Sequence, residues 1–207
     1  MSDVHAELRR LGTATVYEAS GREGLVDVTF EQVIPGSRAA GPARTVRCGQ
    51  GDNLMVHAVM DRVQPGDVLV VTMPEPAPVA LVGELLATQA AHRGVAAMLV
   101  DASVRDMEEL REMGFPVWAR WVRVRGANKE AVGSLDEAVE VGGAEIRPGD
   151  AVVLDADGVV VVARERIETV LAAARDRVER EQDKRAKLSA GSLSYDLDGL
   201  RERVEGK

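Results

Sequence analysis

Three charged residues, Asp101, Arg105 and Asp106, follow a short apolar run in the middle of the chain. The run itself, Val-Ala-Ala-Met-Leu-Val at residues 95–100, is typical of a short, fully buried strand. In open α/β folds, ligands bind at the carboxyl ends of such strands. A carboxylate there can hold a cation, and an arginine beside it can hold an anionic substrate in a bidentate grip. The pattern therefore predicts a ligand site at this strand end.

A second candidate is Gly83-Glu84-Leu85-Leu86, at the predicted start of a helix. Free backbone N–H groups and the positive end of the helix dipole make a helix N-terminus an anion site for a small carboxylate. The alternative is that Glu84 is an ordinary acidic residue in a first helical turn. Because this helix leads into the 95–100 strand as a right-handed unit, its first turn and the Arg105–Asp106 loop are expected to face each other across a crevice.

The carboxylates of these two loops suit a hard cation that prefers oxygen ligands. Magnesium keeps several waters and uses only one or two protein carboxylates. Asp106 can be the direct ligand, with Glu84 hydrogen-bonded to the surrounding water. An equally supported alternative makes Asp106 the N-cap of a helix over 107–113. Lys129 lies in a loop-like stretch and is not expected to form a Schiff base.

The elements that would hold these residues follow from hydrophobic periodicity and turn signals. Helices are predicted over 4–10, 14–20, 53–63, 84–92, 107–113 and 164–187. Strands are predicted over 25–33, 44–48, 68–72, 95–100, 116–123, 152–154 and 159–162. Residues 1–163 are expected to form a single α/β catalytic domain, and 164–207 a C-terminal helix and tail.

One short sequence occurs twice. Gln64-Pro65-Gly66-Asp67 and Arg147-Pro148-Gly149-Asp150 each precede an apolar run. Pro-Gly-Asp before such a run is typical of a turn that leads into a strand. Two similar strand entries are therefore predicted, without a repeat array.

Composition limits the classes of function. Hydrophobic residues make up 45 % of the 207 and aromatic residues only 3 %, so the core must consist mainly of Val, Leu, Ala and Ile. The net charge of −8 argues against nucleic-acid binding through a global positive field. Cys48 is the only cysteine, which excludes an internal disulfide and a zinc–thiolate cluster.

Other features are absent or weak. The N-terminus lacks an apolar signal-peptide core, and no stretch approaches about 18 uninterrupted apolar residues, so a cytoplasmic protein without a membrane partner is expected. The three histidines share no metal-ligand spacing; His57 and His92 are expected to be packing or surface residues. Cys48 is expected to be a small core residue.

Taken together, these segments resemble the class II pyruvate aldolases that cleave 4-hydroxy-4-methyl-2-oxoglutarate and 4-carboxy-4-hydroxy-2-oxoadipate. Those aldolases share a fold with the regulator of ribonuclease E activity. The most specific element is Glu84 followed twenty-one positions later by Arg105-Asp106. The other matching segments are Gly41–Val46, Gly51–Leu54, Pro65–Val71, Gly83–Leu86, Val100-Asp101, Gly114–Val117 and Asp155–Val162.

The resemblance implies a layered β/β/α, swivelling-domain-like fold with a C-terminal helical extension. It implies that Asp106 is the direct ligand of a divalent metal, Mg²⁺ or Mn²⁺, and that Arg105 contacts the substrate. The backbone N–H groups of Leu85 and Leu86, beside Gly83, would hold the pyruvyl carboxylate. Glu84 would lie in the water around the metal.

The resemblance also implies that two further glutamates reach this water from a neighbouring subunit. They are Glu18 in the N-terminal helix and Glu181 in the C-terminal helix, with Glu179 as the fallback for Glu181. A homotrimer or homohexamer with intersubunit active sites is therefore expected, with residues 164–207 packing on a neighbour. The chain departs from many relatives at Ala102, where they have glycine; alanine would be strained there if φ were positive.

The implied reaction is metal-dependent retro-aldol cleavage of a 4-hydroxy-2-oxo acid to pyruvate and a second keto acid, in the degradation of aromatic compounds. Oxaloacetate decarboxylation is an expected further activity, and keto acids rather than nucleic acids are the expected ligands. The alternative is a non-catalytic regulator that binds a ribonuclease. Those regulators are expected to be shorter and to lack the helix that carries Glu181.

Overall fold

The fold is a mixed α/β arrangement around one large curled sheet, seen in a computed structural model that describes residues 4–206. The helices are α1 Val4–Leu11, α2 Thr13–Ala19, α3 Leu54–Val59, α4 Glu84–His92, α5 Met107–Met113, α6 Ile167–Ser189, α7 Ser194–Leu197 and α8 Leu200–Glu205. The strands are β1 Glu31–Gln32, β2 Ala39–Arg47, β3 Val68–Thr72, β4 Ala80–Val82, β5 Ala97–Val104, β6 Val117–Val122, β7 Ser134–Leu135, β8 Val139–Val141, β9 Ala144–Ile146, β10 Ala151–Leu154 and β11 Val159–Val162.

The main path of the sheet runs β1-β6-β5-β3-β2-β10-β11. Its centre is parallel, because β2, β3, β5 and β6 pair in the same direction. The strands predicted over 152–154 and 159–162 are confirmed: as β10 and β11 they pair antiparallel around the turn that contains Gly158. β4 joins the path by pairing parallel with β5, and β7 pairs with β2. The expected mixed α/β fold with a C-terminal helix is therefore confirmed.

The two faces of the central strands belong to two different cores. Leu69 and Val71 of β3 face the core covered by α3, α4 and α5. Val68 and Val70 face the core shared with the β8–β9 ribbon and the β10–β11 hairpin. Both sets are fully buried, which explains why strands of this sheet read as continuous apolar runs and not as alternating ones.

The C-terminal helix begins on the chain's own N-terminal helices. Ile167, Val170 and Leu171 are buried in a third core with α1, α2 and the β10–β11 hairpin. The remainder of α6 is largely exposed. Packing of this exposed part on a neighbouring subunit stays a prediction. In residues 4–206 no helix combines the length and apolarity needed to cross a membrane.

The strand predicted over 95–100 continues to Val104, and this changes the position of Asp101. Its carboxylate is buried inside β5 and pairs with the Arg120 guanidinium of the adjacent strand β6. Burial raises the pKa of Asp101, and the ion pair with Arg120 opposes that rise. Assigning Asp101 to the strand end was therefore wrong: its partner on β6 allows a charge within the strand.

Other predicted boundaries also differ from the structure. Of the strand predicted over 25–33, only β1 and a single bridge between Leu25 and Val160 form. The helix predicted over 53–63 ends as α3 at Val59, and β4 was not predicted. Ala102 lies in β5 and is not among the residues with positive φ, so the strain considered for it does not arise.

Candidate functional site

Two neighbouring loops converge at one edge of the sheet. Because β4 pairs parallel with β5, the loop from β4 into α4 and the loop from β5 into α5 emerge side by side. Their closest link is a hydrogen bond of 3.0 Å that the Glu84 backbone N–H donates to Asp106 Oδ2. The crevice predicted between Gly83–Leu86 and Arg105–Asp106 is thus present, with the two segments in contact.

Asp106 occupies the N-cap position of α5 without capping it. Its backbone is in the left-handed region, with φ 62° and ψ 48°, and its side chain makes no capping hydrogen bond. A non-glycine residue rarely adopts this conformation, although aspartate is among those that tolerate it. The carboxylate binds the first turn of α4 instead of its own helix. The alternative that Asp106 is the N-cap of α5 is therefore right about its position but wrong about its hydrogen bond, which is made to the Glu84 N–H.

Gly83 leaves the room that this carboxylate occupies. A Cβ at residue 83 would lie 2.4 Å from Asp106 Oδ2 and 3.2 Å from Arg105 Cγ. Gly83 is extended, at φ −141°, so the requirement is for space and not for an unusual backbone. Gly126 has a similar role from the other side, since its Cβ would lie 2.9 Å from Arg105 Nη1.

The Arg105 side chain lies beside Asp106, and its guanidinium is partly exposed and can bind a ligand. Its Nε lies 3.6 Å from Asp106 Oδ2, and the two side chains are 49 % and 38 % exposed. An ion pair of this length and exposure contributes little to stability. The guanidinium therefore keeps donors for an anion that enters the crevice.

The first turn of α4 offers further donors. The first helical hydrogen bond of α4 is donated by Ala87 N–H to the Gly83 carbonyl at 3.1 Å, so the N–H groups of Leu85 and Leu86 precede it. Both leucines line a cavity of about 150 Å³ together with Gly83, Arg105 and Asp106. A cavity of this size can hold a small carboxylate.

Glu84 itself lies at the edge of this arrangement. Its carboxylate accepts a hydrogen bond of 2.8 Å from the Thr88 hydroxyl one turn later, while its N–H binds Asp106. The alternative that Glu84 is an ordinary acidic residue in a first helical turn accounts for the Thr88 hydrogen bond but not for the link to Asp106. The link to Asp106 sets Glu84 beside the candidate ligand.

Glu18 and Glu181 lie together but outside this cavity in the same chain. Arg177 joins them, with 2.8 Å from its Nε to Glu181 Oε1 and 3.6 Å from its Nη1 to Glu18 Oε2. Glu179 is exposed and does not share this ion-pair cluster. The packing of α6 on α2 therefore makes Glu181, and not Glu179, the partner of Glu18 in one acidic patch. Their approach to a neighbour's Asp106 stays a prediction.

A second wall of the cavity was not predicted. Asn53, His57 and Lys129 line it from α3 and from the loop that follows β6. Partial desolvation of the imidazole, and after it the nearby Lys129 ammonium, lower the pKa of His57 from its ordinary 6.5, so the neutral form predominates at pH 7 although the residue lies at the surface. His57 and His92 are both exposed, so of the two locations expected for them, core packing and the surface, they occupy the surface. Of the sequence features, only the matching segment Gly51–Leu54 of the family resemblance includes a residue of this wall, Asn53.

A divalent cation would find an open site here and not a closed cage. Within residues 4–206 no three His, Cys, Asp or Glu side chains gather as a metal cluster. Asp106 instead offers one partly exposed carboxylate, in the space left by Gly83. Magnesium and manganese accept such a site because they retain water ligands, whereas structural zinc needs four protein ligands. The residues present therefore fit a hydrated divalent ion.

Comparison with known proteins matches this chain to one family and to several of its members. The model of the RraA-like family, described as Aldolase/RraA, matches residues 13–161. A Halalkalibacterium halodurans protein named "Putative 4-hydroxy-4-methyl-2-oxoglutarate aldolase" is 32 % identical over 177 residues, which are 84 % of this chain and 83 % of that protein.

Two solved structures carry the other name of the family. Streptomyces coelicolor RraAS2, described as an unusual member of the RNase ES inhibitor RraA protein family, has a TM-score of 0.79 and 29 % identity, and the match covers 90 % of this chain and 98 % of that one. The RNA-processing inhibitor RraA from Thermus thermophilis has a TM-score of 0.66 and 32 % identity, covering 72 % and 91 %.

Proposed function

The chain belongs to the RraA-like family, and we propose that it is a class II pyruvate aldolase that cleaves 4-hydroxy-2-oxo acids. The observation that carries the proposal is the Asp106 carboxylate, held by the Glu84 N–H and turned away from its own helix. It lies beside Arg105 and the first turn of α4, in one cavity. Substrates of the class are 4-hydroxy-4-methyl-2-oxoglutarate and 4-carboxy-4-hydroxy-2-oxoadipate, and oxaloacetate would lose carbon dioxide in the same site.

In this proposal Asp106 holds Mg²⁺ or Mn²⁺ directly. When bound, such an ion acts as a Lewis acid that polarises the 2-oxo group and stabilises the charge that develops on the pyruvyl fragment. Arg105 and the N–H groups of Leu85 and Leu86 bind the pyruvyl carboxylate and fix its orientation. Water held by Glu84, and by Glu18 and Glu181 of a neighbouring subunit, removes the C4 hydroxyl proton.

Proton removal lets the C3–C4 bond break, so that one keto acid leaves and the pyruvyl fragment keeps the electron pair at C3. Protonation of C3 then completes the formation of pyruvate. Leu85, which lines the cavity, is 81 % exposed, and Val124, which lines an adjacent hollow with Arg105 and Asp106, is 90 % exposed. Exposed apolar side chains beside a cavity support an oligomer in which a neighbouring subunit covers the site.

A regulator that binds a ribonuclease is the second candidate, because one relative is described as an RNA-processing inhibitor and another as an unusual member of the RNase ES inhibitor RraA family. The C-terminal helix does not separate the two functions. The match to the Streptomyces protein covers 90 % of this chain, a share that the residues before α6 cannot supply. The match to the Thermus thermophilis RraA covers only 72 % of this chain but 91 % of that protein, which agrees with the expectation of shorter regulators; the unusual Streptomyces member does not follow it.

The deciding experiment is pyruvate release by the purified protein from 4-hydroxy-4-methyl-2-oxoglutarate and from oxaloacetate, with added Mg²⁺ or Mn²⁺ and with a chelator. The proposal predicts release with the metal and none with the chelator. Absence of pyruvate under all conditions, together with inhibition of a ribonuclease E-type enzyme, would favour the regulator.

A further inference from the structure

The carboxylate of Asp155 connects the β10–β11 turn to the start of α2. Its Oδ2 accepts a hydrogen bond of 2.9 Å from the Thr13 N–H, and its Oδ1 accepts one of 2.5 Å from the Thr13 hydroxyl. Oδ1 also accepts the N–H of Asp157 at 2.9 Å. Asp155 and Thr13 are both buried, so water competes little for these hydrogen bonds. One carboxylate therefore makes a directional link between segments that are 142 residues apart.

Gly12 leaves the space for this link. It is the N-cap residue of α2 and has no side chain with which to cap the helix. A Cβ at residue 12 would lie 3.0 Å from Asp155 Oδ2, and the φ of +82° is one that favours glycine. Asp155 therefore takes the place of a local capping side chain and satisfies the first N–H of α2.

The backbone of Asp155 is itself fixed to the sheet. The indole N–H of Trp118, a buried residue of β6, donates to the Asp155 carbonyl at 3.0 Å. The Asp155 N–H donates to the Gly158 carbonyl at 3.1 Å, within the β10–β11 turn. Because these hydrogen bonds hold both backbone groups, the sheet determines where the carboxylate lies and where α2 begins.

Glu18 lies on the same short helix, five residues after Thr13, which is about 7.5 Å along the helix axis. Its carboxylate lies 3.6 Å from Arg177 and 3.2 Å from Arg22, but these side chains are partly exposed, and such ion pairs hold a group weakly. Val16 packs α2 against the third core, and this apolar contact is non-directional. The Asp155 hydrogen bonds are therefore a buried, directional restraint on the position of α2 along its axis.

We propose that Asp155 is a positioning residue for Glu18. By holding the start of α2, it places Glu18 where this carboxylate binds water around the metal of a neighbouring subunit. Asp155 thus acts on the neighbour's active site and not on that of its own chain. This inference rests on the proposed function, in which Glu18 reaches the metal's water across a subunit interface.

The affinity for Mn²⁺ reports on this role without turnover, because residues that hold the water and ligands around a metal contribute roughly tenfold or more to its binding. The Kd is measured by electron paramagnetic resonance on the intact oligomer. In Asp155→Asn the amide has a single acceptor oxygen, so its NH₂ group must face the N–H of Thr13 or of Asp157. We expect the Kd for Mn²⁺ to rise about tenfold, as it should in Glu18→Gln. Thr13→Val removes one hydrogen bond only and should raise the Kd by a smaller factor, and it carries the test if Asp155→Asn does not fold.

Two controls separate positioning from general destabilisation. Asp157→Ala removes an exposed carboxylate from the same turn and keeps its N–H. Asp67→Asn weakens a buried carboxylate that binds the Gln64 N–H, away from α2. Both should keep the wild-type Kd. In a Glu18→Gln background, Asp155→Asn should raise the Kd by less than about twofold further, because residues that act as a unit are not additive.

Mixed oligomers show which active site is affected. When Asp155→Asn and Asp106→Ala chains are dissociated and reassembled together, some sites combine Asp106 of one chain with Glu18 of the other. Mn²⁺ titration should then reveal a class of sites with the wild-type Kd, which neither variant has alone.

Three results would overturn the inference: a wild-type Kd in Asp155→Asn, equal effects of Asp155→Asn and Asp67→Asn, or a tenfold further loss in the Glu18→Gln background. A mixture without tight sites would also overturn it. If the Mn²⁺ results hold in a protein that releases no pyruvate, the proposed reaction fails and the positioning role of Asp155 stands.

Discussion

Replacing Gly83 by alanine tests whether the spacing between the two loops matters for chemistry. The added Cβ would lie 2.4 Å from Asp106 Oδ2, while ordinary van der Waals contact begins at 3.4 Å, so the carboxylate must move by about 1 Å. That movement also disturbs the 3.0 Å hydrogen bond from Glu84 N–H. A displacement of about 1 Å in a catalytic group costs on the order of 100-fold in rate.

The fold should tolerate the same change. Residue 83 has an extended backbone that alanine adopts readily, and the side chains that must move are partly exposed. We expect the free energy of unfolding to change by less than about 1 kcal/mol. The assay is kcat/KM for pyruvate release, with the thermal midpoint measured on the same preparation.

Gly126→Ala provides a graded comparison. Its Cβ would meet only the flexible end of Arg105, at 2.9 Å from Nη1, so the loss should be less than about tenfold. If Gly83→Ala had the kcat/KM of the wild type, the assignment of Asp106 and Arg105 to the reacting centre would be refuted. Equal losses in both variants would show that crowding of Arg105, and not displacement of Asp106, controls the rate.

Three further predictions concern individual groups. Lys129→Met should raise the pKa of His57 toward its ordinary value of 6.5 without reaching it, because burial remains the larger cause; histidine NMR titration measures this, and an unchanged pKa would contradict it. Asp52→Ala should lower the free energy of unfolding by about 3 kcal/mol in urea denaturation, since three backbone N–H groups lose a buried carboxylate; a loss below about 1 kcal/mol would count against that role. Burial raises the pKa of Asp52, but these hydrogen bonds outweigh it and lower the pKa below 3.8, so the stabilisation is complete above pH 3.8 and is lost as the pH falls further. Burial raises the pKa of Cys48 to about 12, so iodoacetamide at pH 8 should alkylate it only in denaturant, and rapid labelling of the native protein would disagree.

Much of the fold could be predicted because local chemistry determines it. The two Pro-Gly-Asp turns illustrate this. In each, the aspartate carboxylate accepts a 2.8 Å hydrogen bond from the N–H three residues earlier, at Gln64 for Asp67 and at Arg147 for Asp150. Strands β3 and β10 follow directly. Turn residues and apolar runs of this kind are visible in a single sequence.

The errors occurred where distant residues decide the structure. Asp101 stays in β5 because Arg120, nineteen residues away on another strand, pairs with it. Lys129 lines the cavity because Asp52 accepts a hydrogen bond from the N–H of the next residue, Glu130, which is 78 residues away in sequence. The Arg105–Asp106 pair could be identified from residue type and spacing, but the left-handed backbone of Asp106 and the space left by Gly83 required coordinates.

The proposed reaction depends on a divalent cation that Asp106 holds. The most direct measurement combines Mn²⁺ titration, followed by electron paramagnetic resonance, with pyruvate release at saturating Mn²⁺ for the wild type and Asp106→Ala. We expect Mn²⁺ binding and pyruvate release by the wild type. In the alanine variant we expect loss of Mn²⁺ binding and a drop of at least about 100-fold in the rate of pyruvate release. Full activity in Asp106→Ala would contradict it.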